Sequence, residues 1–125
     1  MSTPLNQWIG EGKIGTDLNL RHTKDSARPV LNMLLFMESN YRSKKNVDSD
    51  FVIKKRYAKI PIVAWHNKAT EIAENFQRND KVRIQGSIRT RLNERGGHKY
   101  SSFEIVLDNI ILISREGYDK KSAHL

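Results

Sequence analysis

The sequence predicts an all-β domain, a five-stranded Greek-key barrel with one short α-helix between its third and fourth strands. Three observations predict it: five apolar or alternating segments, one segment with helical spacing of apolar residues, and turn-forming residues between them. At 125 residues the chain has the usual length of one domain. We expect one barrel domain over residues 1–113 and a short, polar, disordered tail over residues 114–125.

The first two predicted strands are separated by a polar stretch, residues 16–28. Residues 5–14 are mostly apolar or neutral, and glycines interrupt this segment and follow it directly. Glycine inside a strand indicates a bulge or a sharp bend of a barrel. Residues 30–37, VLNMLLFM, form a short apolar run that ends in polar residues, which indicates a strand covered on both faces.

A long polar insert precedes the third predicted strand. Residues 40–50 carry almost no core-forming side chains, which predicts a protruding hairpin loop. The strand follows over residues 51–65. Because successive strand residues point to opposite faces, five side chains are expected to share one face. They are Tyr57, Lys59, Pro61, Val63 and Trp65.

The period then changes from strand to helix and back. Within residues 66–77, apolar residues recur at positions i, i+3, i+4 and i+7, which predicts one amphipathic helix. Residues 81–91 alternate between apolar and polar residues, so this fourth strand is expected to carry Lys81, Arg83, Arg89 and Arg91 on one face.

A turn over residues 93–97 leads to the fifth strand, residues 99–113. Three strands, a helix and two more strands follow one another in the order of an OB-fold.

Composition narrows the possible functions. The net charge is +8, which favours polyanions such as nucleic acids, although a basic pI also serves solubility alone. The chain has no cysteine, which excludes disulfides, thiolate metal sites and cysteine nucleophiles. The four histidines lack metal-ligand spacing, and no catalytic triad or phosphate loop stands out. We therefore expect no enzyme, no cofactor, no metal and no small-molecule substrate. No apolar run reaches membrane-spanning length and no secretory signal is visible.

Three segments resemble the bacterial single-stranded DNA-binding protein (SSB) family. They are the opening strand LNQWIGEGKIGTD, residues 5–17; the helix and fourth strand, residues 68–91; and the fifth strand, residues 99–113. The family resemblance covers residues 5–113 and implies an OB-fold that binds single-stranded DNA. It also implies roles in DNA replication, recombination or repair, a homotetramer or dimer, and a cytoplasmic, nucleoid-associated location.

The resemblance also implies positions where bases stack on aromatic rings. Two such positions fall on Tyr41 and Trp65. A third falls near Lys59, and Tyr57 on the same strand face is predicted to provide the ring instead. A fourth falls near Asn93, which has no ring. Basic residues around the hairpin and on the fourth strand are expected to contact phosphates. The predicted DNA-binding residues are Tyr41, Arg42, Lys44, Lys45, Lys54, Arg56, Tyr57, Lys59, Trp65, Arg89 and Arg91.

Several alternatives stay open at this point. Without the resemblance, Trp65 is more typical of a half-buried ring under the helix than of a stacking ring, and Arg89 and Arg91 are as typical of a solvated strand face as of phosphate contact. An RNA-binding barrel, or a primosome-type protein that chiefly docks replication or recombination partners, fits the same pattern. Cellular SSB proteins end in an acidic tip, which residues 114–125 lack, so the resemblance suggests an accessory, plasmid-type or phage-type member.

Overall fold

The computed structural model describes residues 5–44 and 51–115, and the side chains of residues 5–39 and 55–115. Its elements, in chain order, are β1 (Trp8–Ile14), β2 (Arg21–His22), β3 (Pro29–Lys44), β4 (Phe51–Trp65), α1 (His66–Asn75), β5 (Lys81–Arg95) and β6 (His98–Ser114).

The five long strands close into a mixed barrel, which confirms the predicted OB-fold. β1 pairs with β5, β5 with β6, and β3 with β4, all antiparallel, whereas β6 lies parallel to β4. A short pairing of β1 with β3, through Lys13 and Ile14, completes the ring. The two-residue strand β2, which was not predicted, pairs with β3 at the edge opposite β4. Within the described ranges, no helix is long and apolar enough to span a membrane.

Alternation along the strands fills the interior. In β5, Val82 and Ile84 are fully buried while Lys81, Arg83 and Gln85 are exposed. Helix α1 lies against β3 and buries Ala69 and Ile72 in the same core, in agreement with the predicted apolar stripe. This arrangement leaves the polar faces of the strands directed outward.

The apolar run of β3 is not covered on both faces, so that expectation was wrong. Leu31, Met33 and Leu35 are buried, whereas Asn32 is exposed and Phe36 is only half-buried. Because successive residues of a barrel strand point alternately to the interior and to the outside, the other face of β3 stays outside the barrel. Phe36 therefore belongs to an outer surface.

Both hairpins differ from the prediction in the same way. The predicted loop over residues 40–50 is too long, because β3 and β4 stay paired to the register pair of Lys44 and Phe51. Likewise, β5 and β6 stay paired to Arg95 and His98 across a turn of two glycines with φ of 57° and 81°. Positive φ at both central residues is the geometry of a two-residue hairpin turn. The two pairs of strands thus extend as arms beyond the core.

Gly86 allows β5 and β6 to approach each other closely at a register shift. A Cβ added there would clash with the Val106 carbonyl oxygen and lie 2.9 Å from Ile105 Cγ2. Because the neighbouring atoms include fixed backbone, Gly86→Ala is expected to lower the free energy of unfolding by about 1–3 kcal/mol. Urea unfolding, monitored by circular dichroism, measures this loss of unfolding free energy.

Gly10→Ala is the control for Gly86→Ala. The added methyl group would meet the Trp8 indole, a side chain that is able to move, rather than backbone. We expect the smaller loss at Gly10, and a loss at Gly10 equal to that at Gly86 would contradict this explanation.

A buried ion pair fixes the end of the barrel. Asp80 is fully buried and accepts hydrogen bonds from Arg115 Nε and Nη2, each 2.9 Å long, and from the backbone N–H of Gln77. These bonds raise the pKa of the Arg115 guanidinium. Arg115 also donates to the carbonyl of Asn75 at the end of α1. The structure thus places Ser114 in β6 and Arg115 in this pair; residues 116–125 of the predicted tail lie outside the described part.

Candidate nucleic-acid interface

The outer face of the β3–β4 pair carries the predicted aromatic residues. Directly opposite residues of antiparallel strands point to the same side of a sheet. The register pairs Val30 with Trp65, Phe36 with Lys59, and Glu38 with Tyr57. At about 3.3 Å per residue, Trp65 and Tyr57 are separated by about 26 Å along β4. The predicted face is therefore an extended surface with a ring at each end.

Trp65 forms one end of this surface. Its side chain is half-buried, and the Arg28 guanidinium carbon lies 5.6 Å from the ring centroid. The His66 ring lies at 6.4 Å and is tilted by 44°. A guanidinium over an aromatic ring is a favourable cation–π contact, and it provides a positive charge next to the ring. A ring of this kind is suited to a base and its phosphate.

Tyr57, Lys59 and Phe36 form the other end. Tyr57 is 55% exposed, and no core position requires its ring. Lys59 is exposed and its Nζ lies 5.5 Å from the Phe36 ring centroid. Pro61 and Val63, which share this strand face, are half-buried and buried, so the rings at the two ends are the accessible ones.

Arg89 and Arg91 are held by one carboxylate. Glu104 is 6% exposed, and its Oε1 lies 3.0 Å from Arg89 Nη2 and 3.4 Å from Arg91 Nε. Because two guanidiniums share one carboxylate, the group keeps a net positive charge. Arg83, predicted on the same face, is paired instead with Glu11 through a 2.6 Å hydrogen bond.

Of the remaining predicted residues, only Arg56 has a described side chain, and it is not brought to this surface. Arg56 is exposed, but it lies next to Tyr57 in β4 and so points to the opposite face. In the hairpin arm, the structure pairs the backbones of Tyr41 and Lys54. The side chains of Tyr41, Arg42, Lys44 and Lys54, and the whole of Lys45, lie outside the described residues, so their predicted roles stay predictions.

Sequence reasoning missed Arg28 and Phe36 on this surface, and Tyr100 on the β5–β6 arm. Phe36 lies directly opposite Lys59, and Tyr100, which is 48% exposed, lies directly opposite Asn93. At both places where the expected ring is absent, the cross-strand neighbour is aromatic. Strand register is the only signal for such a pair, and the sequence pattern does not give the register.

Comparison with known proteins shows the family and the fold of this chain. Residues 5–113 match the model of the single-strand binding protein family. A single-stranded DNA-binding protein of Caldanaerobacter subterraneus subsp. tengcongensis is 31% identical over 122 residues, covering 95% of this chain and 75% of that protein. The solved structure titled "Plasmodium falciparum SSB complex with ssDNA" has the same fold, with a TM-score of 0.74 and 17% identity over 91% of this chain and 99% of that one. The chain belongs to the single-strand binding protein family.

Proposed function

We propose that this protein binds single-stranded DNA with little regard to sequence and protects it during replication, recombination or repair. Aromatic side chains stack on the bases, and basic side chains contact the phosphates. The observation that carries the proposal is the outer face of β3 and β4, where Trp65, Tyr57 and Phe36 lie beside Arg28 and Lys59. Membership of the single-strand binding family supports it.

The geometry favours single strands over duplex for a physical reason. Each base stacked on a ring contributes about 1–3 kcal/mol, whatever its identity, because every base has a flat π face. Bases of a duplex are already stacked and paired, so the rings gain no such contact with them. The basic side chains contribute to the binding of both single-stranded and duplex DNA, and salt weakens this contribution for both.

Titration with oligothymidine and with duplex DNA at two salt concentrations tests the proposal. We expect tighter binding of oligothymidine at both concentrations, with affinity falling as salt rises. Equal affinity for the two polymers would contradict it. Competition between DNA and RNA of matched sequence tests the RNA-binding alternative. We expect DNA to bind more tightly than RNA.

Arg91 is expected to contribute charge to binding but little to folding. Arg91 is well exposed and lies 3.4 Å from Glu104, which keeps the closer Arg89 as its partner. In Arg91→Ala, the slope of log affinity against log salt is expected to fall by about 0.7, the value for one phosphate contact on a single strand. Oligothymidine titrations across salt concentrations measure it.

Arg89→Ala is the matched comparison, since it removes the closer partner of the buried Glu104 carboxylate. We expect this variant to lose stability as well as affinity. An unchanged salt slope in Arg91→Ala would contradict the phosphate contact.

We also propose that the protein is a homotetramer or homodimer. Among the described residues, most of β1 pairs on one side only, with β5, because only its last two residues reach β3. On the outer side of the sheet, Ile9 of β1 is 57% exposed, and Ile111 of β6, two strands away, is 51% exposed. An unpaired edge with apolar neighbours favours pairing with a second copy. Light scattering is expected to give a mass above 14.5 kDa, and a monomer would contradict the proposal.

The more specific assignments remain proposals too. We propose a non-enzymatic, cytoplasmic protein that acts at the nucleoid and is an accessory, plasmid-type or phage-type member of the family. Pull-down from nuclease-treated host extract tests the primosome-type alternative. A protein that chiefly binds DNA is expected to be recovered without other proteins. Replication or recombination proteins that are retained in the absence of DNA would favour the alternative.

A further inference from the structure

The register brings one phenylalanine and three lysines into a row across four neighbouring strands. Lys81 of β5 lies opposite Lys13 of β1, Lys13 lies opposite Phe36 of β3, and Phe36 lies opposite Lys59 of β4. We call these four residues the lysine–phenylalanine row. With about 4.8 Å between strands, the row extends about 14 Å across the outside of the barrel.

A pocket of about 460 Å³ lies along this row. Its lining includes Lys13, Phe36, Tyr57, Arg78 and Lys81. The volume is within the range of pockets that hold small organic ligands. An aromatic wall with cations around it is suited to a flat base attached to a phosphate.

The Phe36 ring is positioned for stacking by its surroundings. A Cβ at Gly15 would lie 2.7 Å from Phe36 Cζ, so the absence of a side chain at Gly15 makes room for the ring. Another part of the ring is reached by the Lys59 ammonium, 5.5 Å from the centroid. A base that stacks on Phe36 would take the place of this ammonium, which would then move to a phosphate.

The charges of the pocket favour an anion. Two carboxylates line it, but Glu11 is bound to Arg83 and Glu38 lies 3.5 Å from Lys55. The lining Arg78 in turn lies 3.8 Å from Asp17. Lys13 and Lys81 lie directly opposite each other across β1 and β5, so these named side chains are five cations and three carboxylates. This excess of positive charge is suited to a phosphate.

We propose that the lysine–phenylalanine row is a nucleotide-binding subsite, in which one unpaired base stacks on Phe36 and its flanking phosphates bind Lys13 and Lys59. The inference rests on the proposed function and adds a path for the strand. The strand would run across β4, β3 and β1 along the row, into the pocket, in addition to its contacts along β4.

Phe36→Leu tests the subsite because it keeps apolar volume but removes the flat ring. We expect oligothymidine affinity to fall by about 5- to 100-fold. Phe36→Tyr retains a ring and is expected to bind like the unmodified protein. Phe76→Leu is the control: Phe76 is half-buried like Phe36, but it packs against the core at the end of α1 and lies outside the row. Lys59→Gln is expected to lower the salt slope by about 0.7.

The outcomes separate the subsite from the proposed function. If the unmodified protein does not bind oligothymidine, the proposed function fails and the subsite with it. If it binds and Phe36→Leu binds equally well, the subsite alone is overturned. If Phe36→Leu and Phe76→Leu weaken binding equally, the loss comes from the fold and also overturns the subsite. Circular dichroism and urea unfolding of each variant accompany the titrations.

Discussion

Trp65→Ala is expected to weaken binding of oligothymidine by about 1–3 kcal/mol, equivalent to a 5- to 150-fold rise in Kd. The variant removes the ring at one end of the outer face and leaves the cations in place. The slope of log affinity against log salt should therefore stay the same, because no phosphate contact is lost. Fluorescence or anisotropy titrations at several salt concentrations measure both quantities.

Trp65→Phe is the control for this prediction. It keeps an aromatic ring over which Arg28 is able to lie, and it is expected to retain most of the affinity. Because Trp65 is half-buried and directly precedes α1, unfolding of each variant must be measured as well. A Trp65→Ala protein that unfolds, or that folds and binds as tightly as before, would contradict the stacking role.

Asp80→Ala is expected to have the largest effect on stability, a loss of about 2–4 kcal/mol of unfolding free energy. The carboxylate is fully buried and accepts three hydrogen bonds, two from Arg115 and one from the Gln77 backbone. Its removal leaves the guanidinium and a backbone N–H without their acceptor. The partial exposure of Arg115 places the value below that of a fully buried pair.

Urea unfolding of Asp80→Ala and of Asp17→Ala provides the comparison. Asp17 is 75% exposed and lies 3.8 Å from Arg78, a loose surface pair expected to contribute less than about 1 kcal/mol. We expect oligothymidine binding by Asp80→Ala to be unchanged under conditions where it is folded. Equal stability of the two variants would show that the Asp80 pair does not hold the end of the barrel.

Most of the fold was predictable because its signals are local. The third predicted strand, residues 51–65, agrees with β4 at both ends, since its apolar alternation continues to the start of the helix. The continuation of β3 into the hairpin arm was missed because residues 40–44, NYRSK, show no alternation of apolar and polar residues. The two-residue β2 is too short for any pattern, and its pairing depends on β3.

For the candidate site, the sequence predicted which residues share a face within one β-strand, but not which residues lie next to them on other β-strands. The period-two rule placed Tyr57, Lys59 and Trp65 on one face, as the structure has them. It gave no information about neighbours on other strands, because pairing between strands depends on register. Register decides three features of the site. It places Phe36 opposite Lys59 and Tyr100 opposite Asn93, and it brings two arginines to Glu104.

The pairing of β1 with β5 affects how the protein is made. Trp8 is opposite Gly86, so most hydrogen bonds of β1 form only after β5, which lies much later in the chain, has been synthesised. Closing so large a loop has a high entropic cost, and barrels dominated by distant contacts fold in about milliseconds to seconds. The hairpin of β3 and β4 joins residues that are close in sequence. It is therefore expected to form first during synthesis, with β1 docking after it.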